Sequence, residues 1–198
     1  TLSTDQPKWL SEIKKSSDQP RSEESLEQIE TLKAKYAAGV VGQPAPRLTS
    51  GTWLNTTATS LEAFRGRFVL LDFWFIGCGP CHRDMPEIKV AHEAFPSDKF
   101  AVVSVHTNSM KPEVVQAFAD ENKMLYAIVV DDARGQIEKD YRALGVDHYP
   151  SYLLIAPDGN ILLNDAVPDG VPTSLRQHKL ELIHHAIQSW DRYANDRP

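Results

Sequence analysis

Cys78-Gly79-Pro80-Cys81 places two thiols three positions apart, and they are the only cysteines in the chain of 198 residues. A pair at this spacing closes into a disulfide or opens to a dithiol, so its chemistry is thiol–disulfide exchange. The nucleophile in exchange is a thiolate. Cys78 follows a strand-like run and opens a helix-like one, so it meets the unpaired N–H groups and positive dipole end of that helix. This lowers its pKa below the free value of about 8.5. Cys78 is therefore the expected attacking thiol, more exposed and more acidic. Cys81, one turn deeper, resolves the mixed disulfide, and Pro80 stiffens the first turn. Half of a zinc site is the competing reading, but zinc takes four ligands and no second cysteine pair exists.

The elements that must position this pair follow from hydrophobic patterning. Arg67 to Phe75 is an almost unbroken apolar run and reads as a strand buried on both faces. A helix is predicted over Pro80 to Phe95, then a strand over Lys99 to Val105. Pro112 opens a helix to about Asn122, with proline in the first turn where its missing N–H is harmless. A strand over Tyr126 to Val130 and a short helix over Gln136 to Leu144 come next. Ser151–Ala156 and Ile161–Asn164 read as a hairpin across Pro157-Asp158-Gly159-Asn160. Thr173 to about Tyr193 is the last helix, with Ser174 and Gln177 as a capping box. Upstream, Arg47 to Leu54 reads as a short hairpin around Ser50-Gly51, and Leu61-Glu62-Ala63-Phe64 as a helical turn. Strands alternating with helices imply an α/β sandwich.

Residues 1–41 differ in composition. They are polar, with one amphipathic helix expected over Ser22 to Tyr36, and read as an extension or linker. Residues 42–198 read as the folded domain. A net charge of −6 argues against a nucleic-acid partner. No apolar run approaches the roughly 20 residues that span a bilayer. Thr1 does not open a signal peptide, which leaves an anchor upstream of it open.

Several motifs together resemble the thioredoxin superfamily. Asp72-Phe73-Trp74 precedes the cysteine motif, Pro86 lies eight residues after Cys78, Tyr149-Pro150-Ser151 precedes an apolar strand, and Pro157-Asp158-Gly159 marks the final hairpin. The resemblance covers about 42–192. The Gly42-Gln43-Pro44-Ala45-Pro46 entry and the long separation of Cys81 from Pro150 make the TlpA/ResA-like branch the nearest match. The resemblance implies a thioredoxin-like fold: a central mixed β-sheet flanked by helices, with an N-terminal hairpin and a helical N-terminal extension.

It also implies roles. Asp72 matches the family's buried acid, the proton acceptor for Cys81, and burial should raise its pKa. The lysine usual near that acid is replaced around Ser104. Pro150 is expected in cis, facing the dithiol, with the backbone of Tyr149 binding an extended substrate. Trp74 is expected to pack under the site, and Gly79 and Pro80 to form the substrate-facing turn. The branch implies a protein-disulfide reductase, periplasmic or otherwise extracytoplasmic, without bound cofactor or metal. It takes protein or small-molecule disulfides and draws electrons from a partner thiol–disulfide protein. Gly-Pro between the cysteines resembles reducing members, near the thioredoxin potential of about −270 mV. Two alternatives stay open. A peroxiredoxin-like peroxidase would use Cys78 against peroxide, although Ile76-Gly77 stand where such enzymes carry a Thr-Pro loop. A copper-binding or redox-sensing protein would use His82 and His106 beside the dithiol.

Overall fold

A computed structural model describes residue 40, residues 42–164 and, near the C-terminus, residues 179–180, 182–188 and 190. The expected helix over Ser22–Tyr36 and the Ser174 capping box lie outside the described residues.

Six strands form one mixed sheet: β1 (Thr52–Leu54), β2 (Phe68–Trp74), β3 (Phe100–His106), β4 (Ala127–Val130), β5 (Ser151–Ile155) and β6 (Ile161–Asn164). Their order across the sheet is β1-β4-β3-β2-β5-β6. β2, β3 and β4 run parallel, and β5, β6 and β1 are antiparallel to their neighbours. Three helices connect them: α1 (Gly79–Ala94), α2 (Pro112–Glu121) and α3 (Gln136–Arg142). Leu61–Phe64 is a 3-10 turn. Residues 179–180, 182–188 and 190 are helical.

β2 is central, and every one of its residues is buried. Alternation along it feeds two cores. Phe68, Leu70 and Trp74 join α1, α2 and Ile183 on one face. Val69, Leu71 and Phe73 join Phe64, Ile137 and Tyr141 on the other. Truncating a fully buried leucine such as Leu70 or Leu71 to alanine costs about 2–5 kcal/mol.

The expected hairpin over Arg47–Leu54 does not form. Thr52–Leu54 instead pairs antiparallel with β4 at the sheet edge. Gly51 explains the choice: a Cβ there would lie 2.7 Å from the Val130 carbonyl oxygen. Only glycine lets the backbone come this close, so Gly51 docks the segment on the sheet instead of turning it back on itself. Leu48, buried with φ of 57°, redirects the chain just before.

Candidate active site at the Cys78–Cys81 pair

β2 delivers the site. After Trp74 the chain turns through Phe75, Ile76 and Gly77, and the Cys78 N–H donates to the Phe75 carbonyl at 3.0 Å. Cys78 is the N-cap of α1, and its Sγ accepts the Cys81 N–H at 3.2 Å. Pro80 sits in the first turn, and Pro86 lies inside the helix. The two cysteines form a disulfide. Their exposures are alike, 4% for Cys78 and 5% for Cys81. The expected greater exposure of Cys78 is therefore absent in this oxidised form. Both cysteines belong to one apolar cluster, with Phe75, Ile76 and Tyr149 packed against it. Gly77, Gly79 and Pro80 are exposed and leave the approach to the pair open.

Asp72 lies two residues before the end of β2 and is only 6% exposed. Its Oδ2 accepts one hydrogen bond, from Ser104 Oγ at 2.7 Å. Ser104 is its direct partner on β3, at the position where the sequence shows the lysine replaced. Burial pushes the Asp72 carboxyl up to about 6. The Ser104 bond and the positive charge of Lys179 hold it down in part, and the Asp84 charge adds to the rise. A carboxyl poised near neutral pH can take up and release a proton under mild conditions.

The Tyr149–Pro150 peptide bond is cis, as the sequence predicts. Tyr149 packs edge-on against Phe75, with ring centroids 5.5 Å apart. Burial, chiefly, pushes its phenol up to about 12. Trp74 is buried beneath the site, edge-on to His106 at 4.9 Å and tilted against Phe118 at 5.5 Å.

His106 is fully buried. Its Nε2 accepts the Ile76 N–H at 3.1 Å, and its Nδ1 faces the Thr107 carbonyl at 2.6 Å. Accepting at Nε2 requires the proton on Nδ1, so the ring is neutral, and burial lowers its pKa. Both ring nitrogens are committed to the backbone. His106 therefore pins the loop ahead of Cys78 and offers no nitrogen to copper. His82 is exposed beside Phe118.

One cluster escaped the sequence reading. Tyr152 Oη donates to Asp84 Oδ2 at 2.7 Å. Lys179 Nζ lies 3.6 Å from that oxygen, 3.0 Å from Glu87 Oε2 and 4.3 Å from the centre of the Tyr152 ring. A signal existed. Lys179 stands four residues before Ile183, in line with Ile187 and Trp190, where an apolar residue belongs.

A thioredoxin-like sheet with a Cys78–Cys81 disulfide at the N-terminus of α1 and a cis peptide bond at Pro150 defines a thioredoxin-like redox protein. The chain belongs to the AhpC/TSA family, whose model matches residues 41–163. It is 34% identical to thioredoxin-like protein YneN of Bacillus subtilis, over 61% of this chain and 68% of that protein. Sporulation thiol-disulfide oxidoreductase A of the same organism is 29% identical, over 49% of this chain and 58% of its own length. Among solved structures, the thioredoxin domain of a thiol-disulfide oxidoreductase from Bacteroides vulgatus superposes with a TM-score of 0.58. The two are 24% identical, over 73% of this chain and 98% of that one, which shows the shared fold. These similarities place the chain among TlpA/ResA-like members of the thioredoxin superfamily.

Proposed function

We propose that this protein is a thiol–disulfide oxidoreductase that reduces protein disulfides through Cys78 and Cys81. The observation that carries this reading is Cys78 Sγ at the helix N-cap, accepting the Cys81 N–H, together with a buried carboxyl on the preceding strand raised to about 6. The Cys78 thiolate attacks a substrate disulfide and forms a mixed disulfide, and the first substrate sulfur leaves and takes a proton. Asp72 accepts the Cys81 proton. The Cys81 thiolate attacks Cys78 Sγ and expels the second substrate sulfur. The substrate has gained two electrons, and the protein holds the Cys78–Cys81 disulfide. A partner dithiol protein then returns it to the dithiol. Trp74, Gly79 and Pro80 shape the face that meets substrate, and the Tyr149 backbone beside Pro150 binds it in extended form.

Residues 42–198 act as the redox domain in this reading, and residues 1–41 form an extension that the chemistry does not need. Disulfide substrates persist in oxidising compartments, so its place is outside the cytoplasm, in a chain of electron transfer to those substrates. No helix among the described residues is long and apolar enough to cross a membrane.

Reduction of a model protein disulfide tests the reading. Cys78→Ser should abolish it. Cys81→Ser should accumulate mixed disulfides visible on non-reducing gels. Full turnover by Cys81→Ser, or peroxide consumption exceeding disulfide reduction, would overturn the two-cysteine reductase in favour of a peroxidase.

A further inference from the structure

We propose that Lys179, on the C-terminal helical stretch, is a positioning residue for the redox site: seated over Tyr152 and paired with Asp84 and Glu87, its charge sets the proton affinity of Asp72. The kinetic consequence rests on Asp72 being the proton acceptor, but the electrostatic coupling does not.

Lys179 is fully buried, and burying an ammonium is costly unless charge compensates it. Its neighbours along the stretch, Ile183, Ile187 and Trp190, pack into the apolar core. An apolar side chain would fill that position at lower cost, so the cation answers to its surroundings. Those surroundings are acidic. Glu87 and Asp84 on α1 lie 3.0 and 3.6 Å from Nζ. Tyr152 connects them to the site, because its ring underlies Nζ and its hydroxyl holds Asp84. Tyr152 is also the direct cross-strand partner of Asp72. Directly paired residues project from the same face of the sheet, so the lysine stands above the acid's own neighbour.

Among the described residues, Lys179 is the cation that Asp72, Asp84 and Glu87 share. Asp84 and Glu87 keep part of their side-chain surface in water, at 24% and 33%. Asp72 is enclosed, so the scarcity of positive charge falls on it. Among the described residues, the other groups on this face are the Cys78 and Cys81 sulfurs, His82 and His92 from α1 (the two histidines against Phe118 and Tyr126), Ser104 and His106 from β3, Tyr126 ahead of β4 and Tyr152 from β5. His106 is held neutral by its two backbone bonds. The Tyr126 phenol is pushed up by burial and by the Asp72 charge itself. Lys179 is thus the cation that the described structure sets against Asp72. Its charge draws the carboxyl down, and Asp84 pushes it up.

The test follows the Asp72 carboxyl by carbon-detected NMR across pH in the oxidised, folded protein. This readout is independent of turnover. Lys179→Met keeps the stem and removes the charge, and it should raise the Asp72 titration by about one pH unit, the low end for an opposite charge nearby. Glu87→Gln leaves the lysine less neutralised and should lower it. Lys179→Arg should restore values near wild type. Opposite shifts from Lys179→Met and Glu87→Gln support the proposal, because a purely structural role would change melting without moving the midpoint in two directions. An unmoved midpoint in either folded variant, or shifts of the same sign, would overturn it. Should Lys179→Met fail to fold, Glu87→Gln decides alone. The pH profile of mixed-disulfide resolution in the same variants reports separately on whether Asp72 is the proton acceptor. Shifted titrations with unshifted kinetics would remove that role and leave the coupling intact.

Discussion

Two aspartates in this protein are equally buried, Asp72 and Asp131, each 6% exposed. They are satisfied in different ways. Asp131 follows β4, and its carboxylate accepts the backbone N–H groups of Asp132, Ile137 and Glu138 at 2.8–2.9 Å. It ties the first turn of α3 to the end of β4, as a charge fully spent on structure. Among the described residues Asp72 accepts one hydroxyl, that of Ser104, and burial leaves its proton affinity raised. The two buried carboxyls thus differ in their donors, three backbone N–H groups for one and a hydroxyl for the other. A buried carboxyl met by few donors is the kind expected to exchange a proton, because donors to the carboxylate favour its charged form.

The widest separation between the two should come from replacing each by asparagine. Asp72→Asn should slow release of substrate from the mixed disulfide by about 100-fold, the low end for lost acid–base help, with the first attack by Cys78 little changed. Stopped-flow reduction across pH 6 to 9 measures both steps. Equal resolving rates in wild type and variant would make Asp72 as structural as Asp131.

The same variant should change stability with a sign that follows from its pKa. In the folded protein Asp72 titrates near 6, above its ordinary 3.8. Between those values the folded state holds more protons than the unfolded one, so stability falls as pH rises from about 4 to 6 and is level above. Asp72→Asn removes that cost. It should be the more stable protein above pH 7, by up to about 3 kcal/mol at 1.36 kcal/mol per pKa unit, and lose the advantage near pH 4. Urea unfolding at several pH values checks this.

Asp131→Asn should do the reverse. Its amide can no longer accept all three N–H groups, which costs about 1–3 kcal/mol of stability for a buried unsatisfied donor. The reductase chemistry should persist below the melting temperature. Loss of turnover in a folded Asp131→Asn protein would dissolve the distinction.

The smallest effect is expected at Ser104→Ala. It removes the hydroxyl that favours the charged form of Asp72 and should raise its titration by about one unit, since a hydrogen bond to a charged group contributes roughly 1.5–3 kcal/mol. The midpoint of the resolving step should move up with it. An unmoved midpoint would mean that Ser104 does not govern the carboxyl.

Features that depend on neighbours along the chain are legible in the order of the amino acids. The Cys78–Cys81 spacing, the apolar run of β2, proline at the openings of α1 and α2, and the hairpin turn between β5 and β6 are local patterns. They yielded the alternation of strands and helices, and with it the thioredoxin-like resemblance. Asp72 was legible for the same reason, as one acid inside an apolar strand, and its Ser104 neighbour through the family pattern.

Contacts between distant parts of the chain arise only on folding. Thr52–Leu54 became an edge strand on β4 because Gly51 admits close approach to the Val130 carbonyl. His106 became the clamp on Ile76 because parallel pairing sets β3 beside β2 and ends both strands together, at Trp74 and His106. Lys179, Asp84 and Tyr152 come from three distant parts of the chain, and only packing of the C-terminal helical stretch over α1 and β5 gathers them. Periodicity along a helix shows that a position is buried. It does not show which charges wait there, and here they are Asp84 and Glu87 on α1.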